Sequence, residues 1–353
     1  MKNRSFNRFA AVSILAMGLF GTTAAKAYSD LVVVGDSLSD VGNLFIATGG
    51  TLPQDPPYFQ GRFSDGESYS EHLYRGLGLP GVLTPSFVGG TNYAVGGART
   101  RYHTFDNPLS GFDPAVFDPL TQASSPPQST FTLGGQVESL LVNNSFGLDS
   151  QARFSVWIGS NDVADAFASV LLAGGDTSYA QALLAQSASD VGLAINAMVG
   201  AGATHLLIPT VPNLGLVPEV QALLGVFPSA DVVASTLTQA FNSLVDAQLA
   251  SITADITRLD TYTILTQLVD DPTLFDLPAD TNVSDACFSG FVGVPGVVCD
   301  NPGEYVFFDQ IHPSALTHAV LGNLAANAVP VPVTLALIGL GLAVFGFRRH
   351  RTA

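Results

Sequence analysis

Positive charge is scarce in this chain. Its 353 residues carry 13 Lys and Arg against 29 Asp and Glu. Seven of those 13 bases sit at the ends, at Lys2, Arg4, Arg8 and Lys26 and at Arg348, Arg349 and Arg351. The body keeps six, all arginine, against all 29 acids, a balance near −23. Such a surface repels phosphate backbones and anionic lipid headgroups, which argues against nucleic acid as a partner. Cysteine is scarcer still. Cys287 and Cys299, in "CFSGFVGVPGVVC", lack His or carboxylates at ligand spacing and make a poor metal site. In an exported protein such a pair is expected to close a disulfide around its Gly/Pro-rich loop. The single tryptophan, Trp157, is expected in the core. Disorder is excluded by the 47% hydrophobic content, while 35 Gly and 21 Pro announce many loops. The length allows one large domain or two small ones.

Both ends read as addresses. "MKNRSFNRFAAVSILAMGLFGTTAAKA" has a basic start, an apolar stretch too short to span a bilayer, and Ala25-Lys26-Ala27. This pattern predicts a secretory signal peptide over residues 1–27, cut before Tyr28. At the other end, residues 329–353 hold a Pro pair, an apolar run from Val333 to Phe347 and the Arg348-Arg349-His350-Arg351 cluster. That segment resembles the C-terminal sorting signal of the PEP-CTERM family, with Val331 standing where the family usually has Glu. The resemblance implies an exosortase-type sorting enzyme as a partner, beside the export machinery. A plain C-terminal membrane anchor is the other reading, and either way the body is exported to the cell surface or beyond.

Between the ends, apolar β-branched runs alternate with helix-like stretches. "LVVVG" (31–35), "NYAVGG" (92–97), "FSVWIG" (154–159), "THLLIPTV" (204–211) and "TYTILT" (261–266) read as short buried strands. "DVADAFASVLLAGG", "YAQALLAQSASDVGLAINAMVGAG" and "SADVVASTLTQAFNSLVDAQLASITADI" have helical periodicity. This alternation predicts a parallel sheet covered on both faces, with ligands outside the C-terminal strand ends. Residues 98–132, long and rich in Pro and Phe, are read as a flap beside the active site.

The chemistry is expected at those strand ends. Gly-Asp-Ser in "GDSLSDVGN" is weak evidence alone, since Ser and Asp are ordinary helix caps. The other ends change its meaning, because "NYAVGGA", "WIGSNDV" and "YVFFDQIHPSALTH" add Gly97, Asn161, Asp309 and His312. A Ser hydroxyl needs an imidazole to take its proton, and the imidazole needs an acceptor to fix its tautomer. Asp309 and His312, three apart with Pro313 after them, fit one tight turn aimed at Ser37. Asn161, Gly97 and the Ser37 N–H supply donors for an oxyanion.

These four ordered blocks resemble the SGNH hydrolase family, also called GDSL esterases/lipases, over about residues 29–328. The resemblance implies a three-layer α/β/α sandwich around a central parallel sheet. It implies Ser37 as nucleophile, His312 as base, Asp309 as its orienter, and Gly97 with Asn161 at the oxyanion, Gly96 being the rival for Gly97. The domain is accordingly read as 28–328. Acyl transfer of this kind needs no metal or organic cofactor. Asp36 and Asp40 are read as supports of the nucleophile turn and the following helix start, and Asp162 as a helix cap or support. His72 and His205 are read as structural, His103 as a substrate contact in the flap, and His318 as a helix-surface residue. The expected activity is hydrolysis of carboxylic esters, lipid or simple acyl, through a Ser37 acyl-enzyme. Two other readings stay open: acyl transfer or polysaccharide deacetylation by the same triad, and a displayed surface or matrix protein without catalysis.

Overall fold

Four five-residue strands form the centre of the molecule: β1 (Leu31–Gly35), β2 (Arg153–Trp157), β3 (His205–Pro209) and β4 (Asp255–Leu259). The computed structural model describes residues 28–100 and 131–329. The leader 1–27, most of the flap 98–132 and the C-terminal segment from 330 onward lie outside the described residues. The strands pair in parallel in chain order, with Leu31 opposite Arg153 and Arg153 opposite His205, itself opposite Asp255. Parallel neighbours require crossovers, and helices supply them. α1 (Asn43–Ala47), α2 (Tyr69–Gly76) and α3 (Leu133–Asn143) lie between β1 and β2, and α4 (Ser160–Leu172) and α5 (Ser178–Gly200) lead to β3. α6 (Pro218–Ala222) and α7 (Ala230–Leu249) lead to β4, and α8 (Thr261–Asp270) follows it. A two-stranded parallel pair, β5 (Asn282–Ala286) and β6 (Tyr305–Phe307), precedes α9 (Ala315–Ala328).

Successive side chains of a strand point to opposite faces, and here both faces are dry. Val32, Val34, Phe154, Val156, Leu206 and Ile208 pack with α3, α4, α5 and α7. Leu31, Val33, Trp157, Leu207 and Leu259 pack on the other face with Tyr69 and Leu73 of α2 and Leu321 and Ala325 of α9. The result is the three-layer α/β/α sandwich around a parallel sheet. Each such buried Val, Leu or Phe stabilises the fold by about 1.5–3 kcal/mol. Trp157 is fully buried, with its indole N–H donating to the Thr210 carbonyl at 2.9 Å.

Two predicted strands differ. "TYTILT" is the start of α8, because Asp260 caps it by accepting from the Thr263 N–H at 3.0 Å. Its buried residues, Thr261, Leu265 and Leu268, follow a helical spacing. The strand lies just before it, in the polar "DITRL", which is half-exposed because it forms the sheet's edge. "NYAVGG" is not a full strand. Asn92 to Val95 run beside β1, with the Tyr93 N–H donating to Val33 O at 2.7 Å and the Val95 N–H to Gly35 O at 3.1 Å. The chain then turns at Gly96-Gly97, where Gly97 takes a φ of +77°.

Candidate active site

β1 ends in a turn that presents Ser37. Gly35 lies so close to β2 that a Cβ there would collide with the Trp157 carbonyl. Gln136 of α3 grips the same residue from the side, donating to Gly35 O and accepting from Gly35 N, each at 2.8 Å. Beyond it the N–H groups of Ser39 and Asp40 fold back onto the Asp36 carbonyl at 3.1 Å. Asp36 accepts from the Leu38 N–H at 3.0 Å and thereby tightens the turn around Ser37. Burial pushes the Asp36 carboxyl up to about 7 against the pull of that amide.

Asp40 is the hub of the next turn. One oxygen accepts from Gly42 N at 2.7 Å and Asn43 N at 2.6 Å, the other from Leu44 N at 3.1 Å and Gly96 N at 2.8 Å. The first three bonds hold the start of α1, as expected of Asp40, and the fourth ties the Gly96-Gly97 corner to the turn that carries Ser37. Asn43 and Asn92 complete the join. Asn43 donates to Asn92 O and Ala94 O at 2.7 and 2.8 Å, and Asn92 donates to Ser39 O at 2.7 Å. Composition and spacing single out none of Asn43, Asn92 or Gln136, because each acts on backbone brought near only by folding.

From the far end of the chain, the loop between β6 and α9 carries Asp309 and His312 to the same place. His312 Nε2 lies 2.9 Å from Ser37 Oγ, and His312 Nδ1 lies 2.7 Å from Asp309 Oδ2. The second Asp309 oxygen accepts from the Ile311 and His312 N–H groups at 2.9 and 2.7 Å. Asp309 is fully buried, which raises its pKa, yet the charge and hydrogen bonds of His312, with donors from Tyr58 and Ile311, bring it below the usual carboxylate range. The Tyr58 hydroxyl donates to Asp309 Oδ2 at 2.5 Å, a contact absent from the sequence expectations. Rings hold the imidazole as well, with Phe63 at 5.2 Å and Phe291, stacked, at 6.0 Å between centroids. Phe291 lies inside the loop closed by the Cys287–Cys299 disulfide, and Gln54 fixes that loop by donating to Phe291 O at 2.8 Å.

Asn161 opens α4 at the end of β2, and its side-chain amide donates to Ala98 O at 2.9 Å, beside Gly97. Asp162 holds the same loop by accepting from Thr100 N and Thr100 Oγ1 at 3.1 and 2.8 Å, and from Ser187 at 2.7 Å. Gly96 and Gly97 differ in two ways. The Gly96 N–H is bound to Asp40, and a Cβ there would fall on the Phe63 ring. Among the described residues the N–H groups of Gly97 and Ser37 donate to nothing.

The remaining histidines stand apart. His205 pairs with Asp255 at 2.9 Å, and His72 lies 3.2 Å from the Arg75 guanidinium. His103 falls outside the described residues. His318 is not on the helix surface: it is buried between α9 and α2, where its Nδ1 accepts from the Tyr69 N–H at 3.1 Å. Among the described residues no three His, Cys, Asp or Glu side chains gather as a metal site.

Comparison with known proteins gives the same frame. Esterase EstA of Pseudomonas aeruginosa is 28% identical over 93% of this chain and 51% of its own length. Lipase 1 of Photorhabdus luminescens is 28% identical over 60% of this chain, which spans only 26% of that protein. A phosphatidylcholine-sterol acyltransferase of Aeromonas hydrophila is 25% identical over 90% of this chain and 95% of its own length. The model of the GDSL-like lipase/acylhydrolase family matches residues 31–325, and this chain belongs to that family.

Proposed function

We propose that the protein is an exported serine esterase that hydrolyses carboxylic esters through an acyl-enzyme on Ser37. The observation that carries this reading is the unbroken contact from Ser37 through His312 to Asp309, at 2.9 and 2.7 Å. In it Asp309 keeps the proton on Nδ1, so Nε2 is free to accept the Ser37 proton as Oγ attacks the ester carbonyl. The carbonyl oxygen becomes an oxyanion, for which the Ser37 and Gly97 N–H groups, unengaged among the described residues, and the second Asn161 N–H are suitable donors. His312 then returns its proton to the leaving alkoxide. Water, activated by the same imidazole, releases the acid. Export is supported by the leader read over residues 1–27 and by the disulfide, which persists in oxidising compartments. The segment 329–353 would be handled by an exosortase-type enzyme or remain as an anchor.

Acyl transfer to an alcohol is the second reading. The likeness to an acyltransferase over nearly its whole length favours it, as does a site in which Ser37 is 9% and His312 4% exposed. Both readings share the first half-reaction. Incubation with a fluorophosphonate, followed by mass spectrometry, is expected to label Ser37 alone. Ser37→Ala and His312→Ala are expected to abolish labelling and lower ester turnover by about 10⁴–10⁶-fold. Labelling elsewhere, or unchanged turnover in His312→Ala, would overturn the proposal. Adding a sterol or sugar to the ester assay then separates transfer, seen as a new ester, from hydrolysis.

A further inference from the structure

Tyr58 lies 251 residues before Asp309 and is 1% exposed. Its ring is wedged among Phe63, Phe288 and Phe308, edge to face, at 6.3, 5.7 and 5.2 Å. Its backbone is tied down too, with Tyr58 N donating to Gln54 O at 3.1 Å. A ring so held has one direction for its hydroxyl, and that direction ends on Asp309 Oδ2, the oxygen that also faces His312 Nδ1. Counting donors, Asp309 receives Tyr58 and His312 Nδ1 on one oxygen and the Ile311 and His312 amides on the other. Four donors meet about four lone-pair sites, so the buried carboxylate is saturated.

We propose that Tyr58 is a positioning residue for the reaction, holding Asp309 in the plane that meets His312 and sharing the oxygen that His312 uses. Fixed packing keeps the hydroxyl pointed at the carboxylate, and burial together with the Asp309 charge raises the phenol pKa, so the group stays a proton donor. A phenol of this kind has two effects on the imidazole. It stops rotation of the carboxylate about its own side chain, which keeps Nδ1 and hence Nε2 in place for Ser37. It also draws electron density from Oδ2, which weakens the pull of that oxygen on the Nδ1 proton. Nothing else among the described residues reaches Oδ2.

The inference rests on the triad reading above, so its test reads the Tyr58–Asp309–His312 unit directly as well as through activity. In the wild-type protein the Tyr58 hydroxyl proton and the His312 Nδ1 proton flank one oxygen, and a proton NMR cross-peak between them is expected. Tyr58→Phe keeps the ring and its packing, and removes only the donor. In it the His312 Nδ1 proton is expected to move downfield, and fluorophosphonate labelling of Ser37 to slow about three- to tenfold, with KM for an ester unchanged. No cross-peak in the wild type would overturn the inference, whatever the variant does. So would a folded Tyr58→Phe with an unmoved Nδ1 resonance. Absence of Ser37 labelling beside an intact cross-peak and a moved resonance would overturn the esterase reading and leave the Tyr58 contact standing.

Discussion

Asp40 shows how much one side chain decides here. It takes four backbone N–H bonds, three from the start of α1 and one from Gly96, and so couples the Ser37 turn to the neighbour of Gly97. A carboxylate accepts on both oxygens, whereas an amide of the same shape accepts on one and donates from the other. In Asp40→Asn either orientation turns an NH₂ toward two N–H donors. The variant is expected to lose about 2–3 kcal/mol of stability, read from urea unfolding. Ester turnover should fall further than stability explains, because the Gly96-Gly97 corner loses its tie. Unchanged unfolding midpoints would show that Asp40 does not carry these bonds. His312 acts at the same scale, but its partner Ser37 lies 275 residues away.

Among the elements, the contact of α2 with α9 has the clearest pH signature. Ser68 and Glu71 form a capping box at the start of α2, and His318 of α9 accepts from the first helical N–H, that of Tyr69. The helices touch closely, since a Cβ at Gly76 would meet the Ala326 side chain. Burial, with smaller contributions from His312 and His72, depresses the His318 pKa to about 3. The unfolded chain therefore binds a proton below about pH 6.5 that the folded protein does not, and stability is lost as the pH falls through that window. The loss from this group is expected to reach about 3 kcal/mol by pH 4. His318→Asn keeps an acceptor for Tyr69 without the titration. Urea midpoints measured from pH 7 to pH 4 should fall less steeply in this variant, and equal slopes would contradict the assignment.

At the scale of the whole molecule, the excess of acid remains unneutralised. Arg62, Arg75, Arg99, Arg153 and Arg258 each face a carboxylate, Glu71, Glu67, Asp165, Asp255 and Asp246 in turn. The other acids repel one another, and that repulsion is weaker in the expanded chain. Salt shortens its range to about 10 Å at 0.1 M. The melting temperature is expected to rise by about 1–2 °C between 10 mM and 0.5 M NaCl, if screening contributes near 1 kcal/mol. A flat or falling melting temperature would mean that the five pairs outweigh the net charge.

Much of this was legible in the residues. Mostly apolar runs marked β1, β2 and β3, because a strand covered on both faces is largely apolar, although Arg153 and Ser155 of β2 are fully buried too. The edge strand β4 was not, because only Leu259 of its five residues is buried and nothing in "DITRL" demands burial. The site divided in the same way. Ser37, Asn161, His312 and Asp309 could be proposed as nucleophile, donor, base and acceptor because those are residue types that the proposed reaction itself requires. Tyr58, Gln136, Asn43 and Asn92 could not, since a phenol or an amide gains its role only from the group it meets, and all four meet theirs across long stretches of chain. His318 was misjudged for the same reason, as helical spacing alone does not tell which face α2 covers. Chemical capacity is a property of each side chain and can be read in order, whereas partnership depends on which backbone and which rings folding brings within 3 Å.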